Sequence, residues 1–178
     1  MSKRLPLTVF FLTAGLTLCS VRVLSQSNLN SPVKVLSQLE AGFNVASIEA
    51  LMRQGDRATS KGNLDQAREK YDQARDVAKK LLAFYRDLSG SFRGLDARIP
   101  REMDNKGRQS LVVLAKVNLR LAALFRRQDQ PEVAVPLLVE VVRLMTPANA
   151  EGQKAYQALV ELGFADTPYN AVKLRSMK

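Results

Sequence analysis

The chain of 178 residues has no histidine and no tryptophan, and a single cysteine. Without histidine it lacks the commonest general base, the partner in Ser-His and Cys-His nucleophile pairs, and the commonest metal ligand. Aromatic residues make up 6% of the chain, so a core built from it must be mainly Leu, Val and Ala, which favours packed helices over a β-sandwich. No glycine-rich phosphate loop is present, and Lys61-Gly62-Asn63 reads as a turn between helices. Glu102 and Asp104 lie beside Arg101, Lys106 and Arg108 and read as surface ion pairs. Carboxylates alone can hydrolyse glycosides, but a sugar cleft wants aromatic platforms that this chain lacks. The expectation is a non-enzymatic protein without metal or cofactor, with a carboxylate hydrolase as a distant third class.

What is present begins with Lys3 and Arg4, followed by an uncharged run over residues 5–21. A basic start and a run of this length match a secretory signal, since a spanning helix usually needs about 20 apolar residues. The best small-x-small site is Val23-Leu24-Ser25, so cleavage is expected before Gln26. Retention as a membrane anchor is one alternative. Lipidation of Cys19 is the other, on the bacterial-lipobox character of the residues before it, although Leu18 stands where a small residue is preferred. A chain cut after Ser25 carries no thiol and depends on packing alone. Export implies the periplasm or, in a photosynthetic source, the thylakoid lumen, and argues against nucleic acid as a partner.

The formal charge is +10, and +7 without residues 1–25. Most of this surplus falls within residues 93–127, where nine basic residues face three acids. A localised basic region attracts an acidic protein segment or anionic lipid. The competing explanation is the solvated face of a helix.

Residues 26–46 read as a polar lead-in and a short helix over 33–40, opened by Ser31-Pro32 and ended near Gly42. Asn44 or Ser47 caps a helix that runs to about Lys61. After Gly62-Asn63 a long helix carries Ala67, Tyr71, Ala74, Ala78, Leu81, Tyr85 and Leu88 at alternating spacings of three and four, a seam that needs a long partner. Residues 89–100 read as a loop. Pro100 opens a helix to about Gln128, with Gly107 as its weak point. This helix is apolar nearly all round from Leu111 onward and therefore central to the core. Asp129 is the expected N-cap of the next helix, with Pro131 in its first turn and Pro136 as a kink. A last helix over 150–162 ends at Gly163. The main domain is residues 47–163, and residues 164–178 form a flexible basic tail.

This pattern resembles the tetratricopeptide repeat (TPR), a helix–turn–helix unit of about 34 residues. In the first unit, Gly55, Ala67 and Ala74 stand where the family has small residues, Gly62-Asn63 forms the turn and Tyr71 is the packing aromatic. A second unit fits Ala122, Phe125 and Ala134, with Val141 and Leu138 replacing a small residue and an aromatic. Ala67 and Ala134 lie 67 residues apart, nearly two repeats, but a middle unit would place Arg101 and Asn105 at packing positions. The chain therefore reads as one clear unit, one degenerate unit and capping helices: an all-α fold of antiparallel hairpins in a short solenoid.

The resemblance implies a binding scaffold whose groove takes a peptide or extended segment. Some family members hold a carboxylate with a Lys and an Arg of a late repeat, and Lys116 and Arg120 occupy those places. The Lys and Asn of the first repeat are replaced by Met52 and Asp56, so a full carboxylate clamp is not expected. The narrower expectation is a basic wall of Lys116, Arg120, Arg126 and Arg127 for an acidic segment. Its partner would be a protein of a membrane-associated complex, whose assembly or stability it assists. The alternative is a peripheral or anchored membrane-surface protein that binds anionic lipid or envelope components.

Overall fold

The computed structural model describes residues 42–169. The expected secretory signal, Cys19, the short helix expected over 33–40 and the expected tail beyond residue 169 lie outside these residues. Five helices follow one another: α1 (Val45–Ser60), α2 (Leu64–Ser91), α3 (Arg98–Arg127), α4 (Pro131–Met145) and α5 (Ala150–Glu161). No strand occurs among the described residues, and the fold is all-α, as the composition predicts.

Local chemistry sets most of the boundaries. Asn44 and Ser47 act together at the start of α1: the Ser47 amide donates to Asn44 Oδ1 at 2.8 Å and the Asn44 amide to Ser47 Oγ at 3.4 Å. This reciprocal cap satisfies two backbone donors that a helix start leaves free. Gly62, at φ +79°, ends α1 in a Schellman turn, with the Asn63 amide reaching Ala58 O at 3.0 Å. Gly163, at φ +76°, closes α5 in the same way, with Phe164 N to Leu159 O at 2.9 Å.

Two expected boundaries are corrected. Asp129 is not the N-cap of α4, a place held by Gln130. Asp129 has φ +53° and terminates α3, with Gln130 N reaching back to Phe125 O at 2.9 Å. A short polar side chain tolerates the left-handed conformation that this turn requires. The expected loop over 89–100 shrinks to residues 92–97. Ser89 is buried within α2, and its hydroxyl donates to Asp104 Oδ1 of α3 at 2.7 Å. That tertiary bond holds the helix together across a sequence that locally favours a break. Pro100 sits in the first turn of α3, where its missing N–H costs no helical hydrogen bond. The helix α4 runs through Pro136 without interruption.

The core is the predicted Leu, Val and Ala set. Leu81, Leu121, Leu124 and Leu138 are buried with Ile48, Val117 and Val141, each side chain stabilising by about 1.5–3 kcal/mol through burial. Ala67, Ala74, Ala78, Ala115, Ala122, Ala134 and Ala155 are buried between them and allow the helix axes to approach closely. The expected seam of α2 is buried from Ala67 to Leu81 and becomes half-exposed at Tyr85 and Leu88.

Helix α3 is central and packs on all four others. Helices α1 and α5 each touch α3, whereas α2 and α4 make no close backbone approach to one another. The gap between α2 and α4 is crossed by side chains. Arg75 of α2 donates from Nε to the buried Asn118 Oδ1 of α3 at 2.7 Å and from Nη2 to Glu140 of α4, which Lys79 also faces at 3.7 Å.

Candidate protein-binding groove

The surface formed by α1, α3 and α5 carries the residues singled out in the sequence. On α3, Lys116, Arg120, Ala123 and Arg127 recur at helical spacing and form one stripe. Leu119 and Arg126 flank it on the side of α5. Between α3 and α5 lies a groove of about 590 Å³. Its floor and walls include Leu119, Ala122, Ala123, Leu138, Ala150 and Ala158, and its rim carries Arg126, Gln153, Lys154, Gln157 and Glu161. The small side chains leave the space, and the polar ones stand on adjacent turns around it.

The four basic residues are in different situations. Arg120 is engaged within the fold: its Nε donates to Asp56 Oδ1 of α1 at 2.9 Å. Tyr71 of α2 donates its hydroxyl to the same oxygen at 2.7 Å, and Thr59 lies 3.3 Å from the Tyr71 hydroxyl. Burial pushes the Asp56 carboxyl up, but hydrogen bonds from Arg120 and Tyr71 and the Arg120 charge outweigh it and hold the group below its ordinary value. Burial pushes the Tyr71 phenol up; the Thr59 hydrogen bond opposes this and Asp56 adds to it. The role of this node is positional, because one carboxylate oxygen ties α1 to both α2 and α3.

Arg126 spans the mouth of the groove and donates from Nη2 to Glu161 of α5 at 3.1 Å. Both side chains are partly exposed, at 36% and 49%, so the pair is worth about 0.2–1 kcal/mol and opens readily. Lys116 and Arg127 are exposed and form no ion pair among the described residues. Elsewhere in the basic stretch, Arg98 pairs with Asp96 and Lys106 with Glu102, so its formal charge overstates the free positive surface.

The residues assigned to helix packing are placed as follows. Gly55, Ala67, Tyr71, Ala74, Ala122, Phe125 and Ala134 are buried, and Gly62 is an exposed turn residue. A Cβ on Gly55 would stand 2.4 Å from Tyr71 Cε1, so α1 and α2 cross with only a hydrogen between backbone and ring. Phe125 lies beneath the Arg68 guanidinium, 5.2 Å from its ring centre. Gln153, Lys154 and Gln157, together with the Arg75–Asn118–Glu140 bridge, are absent from the sequence reading. A lone Asn inside the apolar run of α3 is the one signal that marks that bridge in the sequence.

Among the described residues no cluster of His, Cys, Asp and Glu is arranged to hold a metal ion, and no helix is long and apolar enough to cross a membrane. Comparison with protein-family models, with curated proteins and with solved structures gives no match.

Proposed function

We propose that the protein is a non-enzymatic binding scaffold of TPR-like organisation. It takes a partner segment bearing acidic and small apolar side chains along the groove between α3 and α5. The observation that carries this reading is the groove itself, an apolar trough of about 590 Å³ rimmed by Arg126 and Lys154. Small apolar side chains of the partner fill the trough between Ala122, Ala123 and Ala158. Gln153 and Gln157, one turn apart on α5, offer amides to the backbone of an extended segment. An incoming carboxylate displaces Glu161 from Arg126 at little cost, because that pair is solvent-screened.

The TPR-like organisation is supported by the close Gly55–Tyr71 crossing, the Gly62 turn, and the asymmetry in which α1 and α5 each pack on α3 while α2 and α4 make no close approach to one another. Contact with the partner falls to Lys116, Arg126, Arg127 and Lys154, whereas Arg120 fixes α1 against α3. With the signal-like N-terminus, the setting is a membrane-associated complex in the periplasm or a thylakoid lumen.

The test is affinity capture with cross-linking from the native membrane fraction. It compares the natural chain with Arg126→Glu/Lys154→Glu and with Ala123→Trp, which fills the trough. Loss of the same cross-linked protein in both variants is expected. Recovery unchanged in both would refute the groove assignment.

A further inference from the structure

The two longest helices project beyond the rest of the fold. Helix α3 has 30 residues and α4 has 15, and at about 1.5 Å per residue α4, which starts at the C-terminal end of α3, leaves roughly half of α3 uncovered. At the other side, Phe43 packs edge-on against Phe84 with ring centres 6.1 Å apart. The start of α1 therefore lies level with Phe84, and the last two turns of α2 extend past it to the connection over 92–97.

That tip has an unusual surface. Leu95 is 78% exposed, the highest value among the exposed large hydrophobic residues, and follows Gly94 at φ +85°. Arg93 and Arg101 are exposed and form no ion pair among the described residues. Arg98 has a side chain 90% exposed, and its partner Asp96 is already engaged by the Arg98 guanidinium and amide. Residues 91–101 thus carry three arginines and one acid around an apolar point. Phe43 and Phe84, 40% and 47% exposed, form a separate exposed apolar pair about two turns below the tip.

We infer that the α2–α3 tip docks on an anionic lipid bilayer, with Leu95 entering the interface and Arg93, Arg98 and Arg101 facing the headgroups. An exposed apolar side chain flanked along the chain by exposed arginines matches the two forces of an interfacial contact, burial of apolar surface and attraction to anionic headgroups. A folded partner would have to enclose a narrow projecting tip, whereas a bilayer presents a broad plane to it. The tip also lies far from the groove at the α5 end of α3, so the two surfaces can be occupied together.

The absence of tryptophan makes the tip directly readable, because Leu95→Trp in the full chain introduces the sole indole. The probe is a vesicle of phosphatidylcholine with 30% phosphatidylglycerol, in plain and brominated forms, against pure phosphatidylcholine. The expected result is a blue-shifted emission, quenched by brominated lipid on the anionic vesicles. Adding Arg93→Gln/Arg101→Gln should weaken partitioning about 25-fold at low salt, about fivefold for each charge. Val133→Trp, in the first turn of α4 and so beyond the C-terminal end of α3, should stay unquenched. Quenching at Leu95→Trp that ignores lipid charge and both arginines overturns the inference. So does sedimentation with vesicles while the indole remains in water, which assigns binding to the apolar N-terminal run. A concentration-dependent blue shift without vesicles assigns the tip to a second copy and also overturns it.

Discussion

Arg120 and Asp56 join α3 to α1 through a 2.9 Å hydrogen bond from Nε to Oδ1, and Tyr71 brings α2 to the same oxygen at 2.7 Å. One carboxylate therefore fixes three helices. Because its folded pKa is depressed below the ordinary 3.8, the ionised form is favoured by folding. The stabilisation is present above about pH 4 and is lost as pH falls through the lower folded value. The Asp56 side chain is 43% exposed, so Asp56→Asn should cost only about 1 kcal/mol near neutrality. The difference in urea midpoint between the two proteins should shrink from pH 5 to pH 3. A difference that stays constant over that range would exclude the ionised node.

Three glycines inside helices should respond to alanine with different signs. At Gly55 the new Cβ would meet the Tyr71 ring at 2.4 Å, and overpacking of this kind costs about 1–3 kcal/mol. At Gly152 it would stand 1.9 Å from the Thr146 carbonyl oxygen, where backbone must move, and the loss should exceed that at Gly55. At Gly107 the nearest atom is Tyr85 Cβ at 3.7 Å, an ordinary contact, so Gly107→Ala should stabilise by up to about 1 kcal/mol through helix propensity. Thermal midpoints of the three variants check the order. A stabilised Gly55→Ala would mean that the crossing is looser than this geometry.

These cases show what could be read from the chain and what could not. The seam of α2 was legible because spacing alone decides which of Ala67, Tyr71, Ala74, Ala78 and Leu81 share a face. The turn at Gly62 was legible because few other residues adopt its backbone geometry. Ser89 and Asp129 were misread for a common reason. Ser, Gly and Asp favour breaks or caps locally, but the outcome rests on Asp104 for Ser89, and for Asp129 on the closing turn of α3. For the candidate site, the basic character of α3 was legible, but not which charges are free. Asp56 lies 64 residues from Arg120 along the chain and Glu161 lies 35 from Arg126. Charge counting carries no information about such distant pairs.

Arg75 and Asn118 should behave as a coupled pair. Asn118 is fully buried and accepts from Arg75, while its Nδ2 has no partner among the described residues. Arg75→Leu removes the only hydrogen bond to that side chain among the described residues and leaves Glu140 to Lys79, and a buried amide left unpaired costs about 1–3 kcal/mol. Asn118→Leu in the Arg75→Leu background should recover at least half of that loss, because it removes the polar group that is left stranded. Additive losses in a double-mutant cycle would show that the Arg75–Asn118 contact between α2 and α3 contributes no coupling.

The groove variants separate binding from folding. Arg126→Glu faces Glu161 with a like charge, but both groups reach solvent, so the thermal midpoint should fall by no more than a few degrees. Ala123 is exposed on the lip of the groove, so Ala123→Trp should leave stability within about 0.5 kcal/mol of the natural chain. Glu161→Gln should act in the opposite direction from Arg126→Glu: it frees Arg126 from its internal carboxylate and should tighten capture of an acidic partner several-fold. Circular dichroism melts run beside the capture experiment provide the comparison. If Glu161→Gln weakens capture as much as Arg126→Glu does, the pair as a whole shapes the groove, and Arg126 is not the residue that receives the partner's carboxylate.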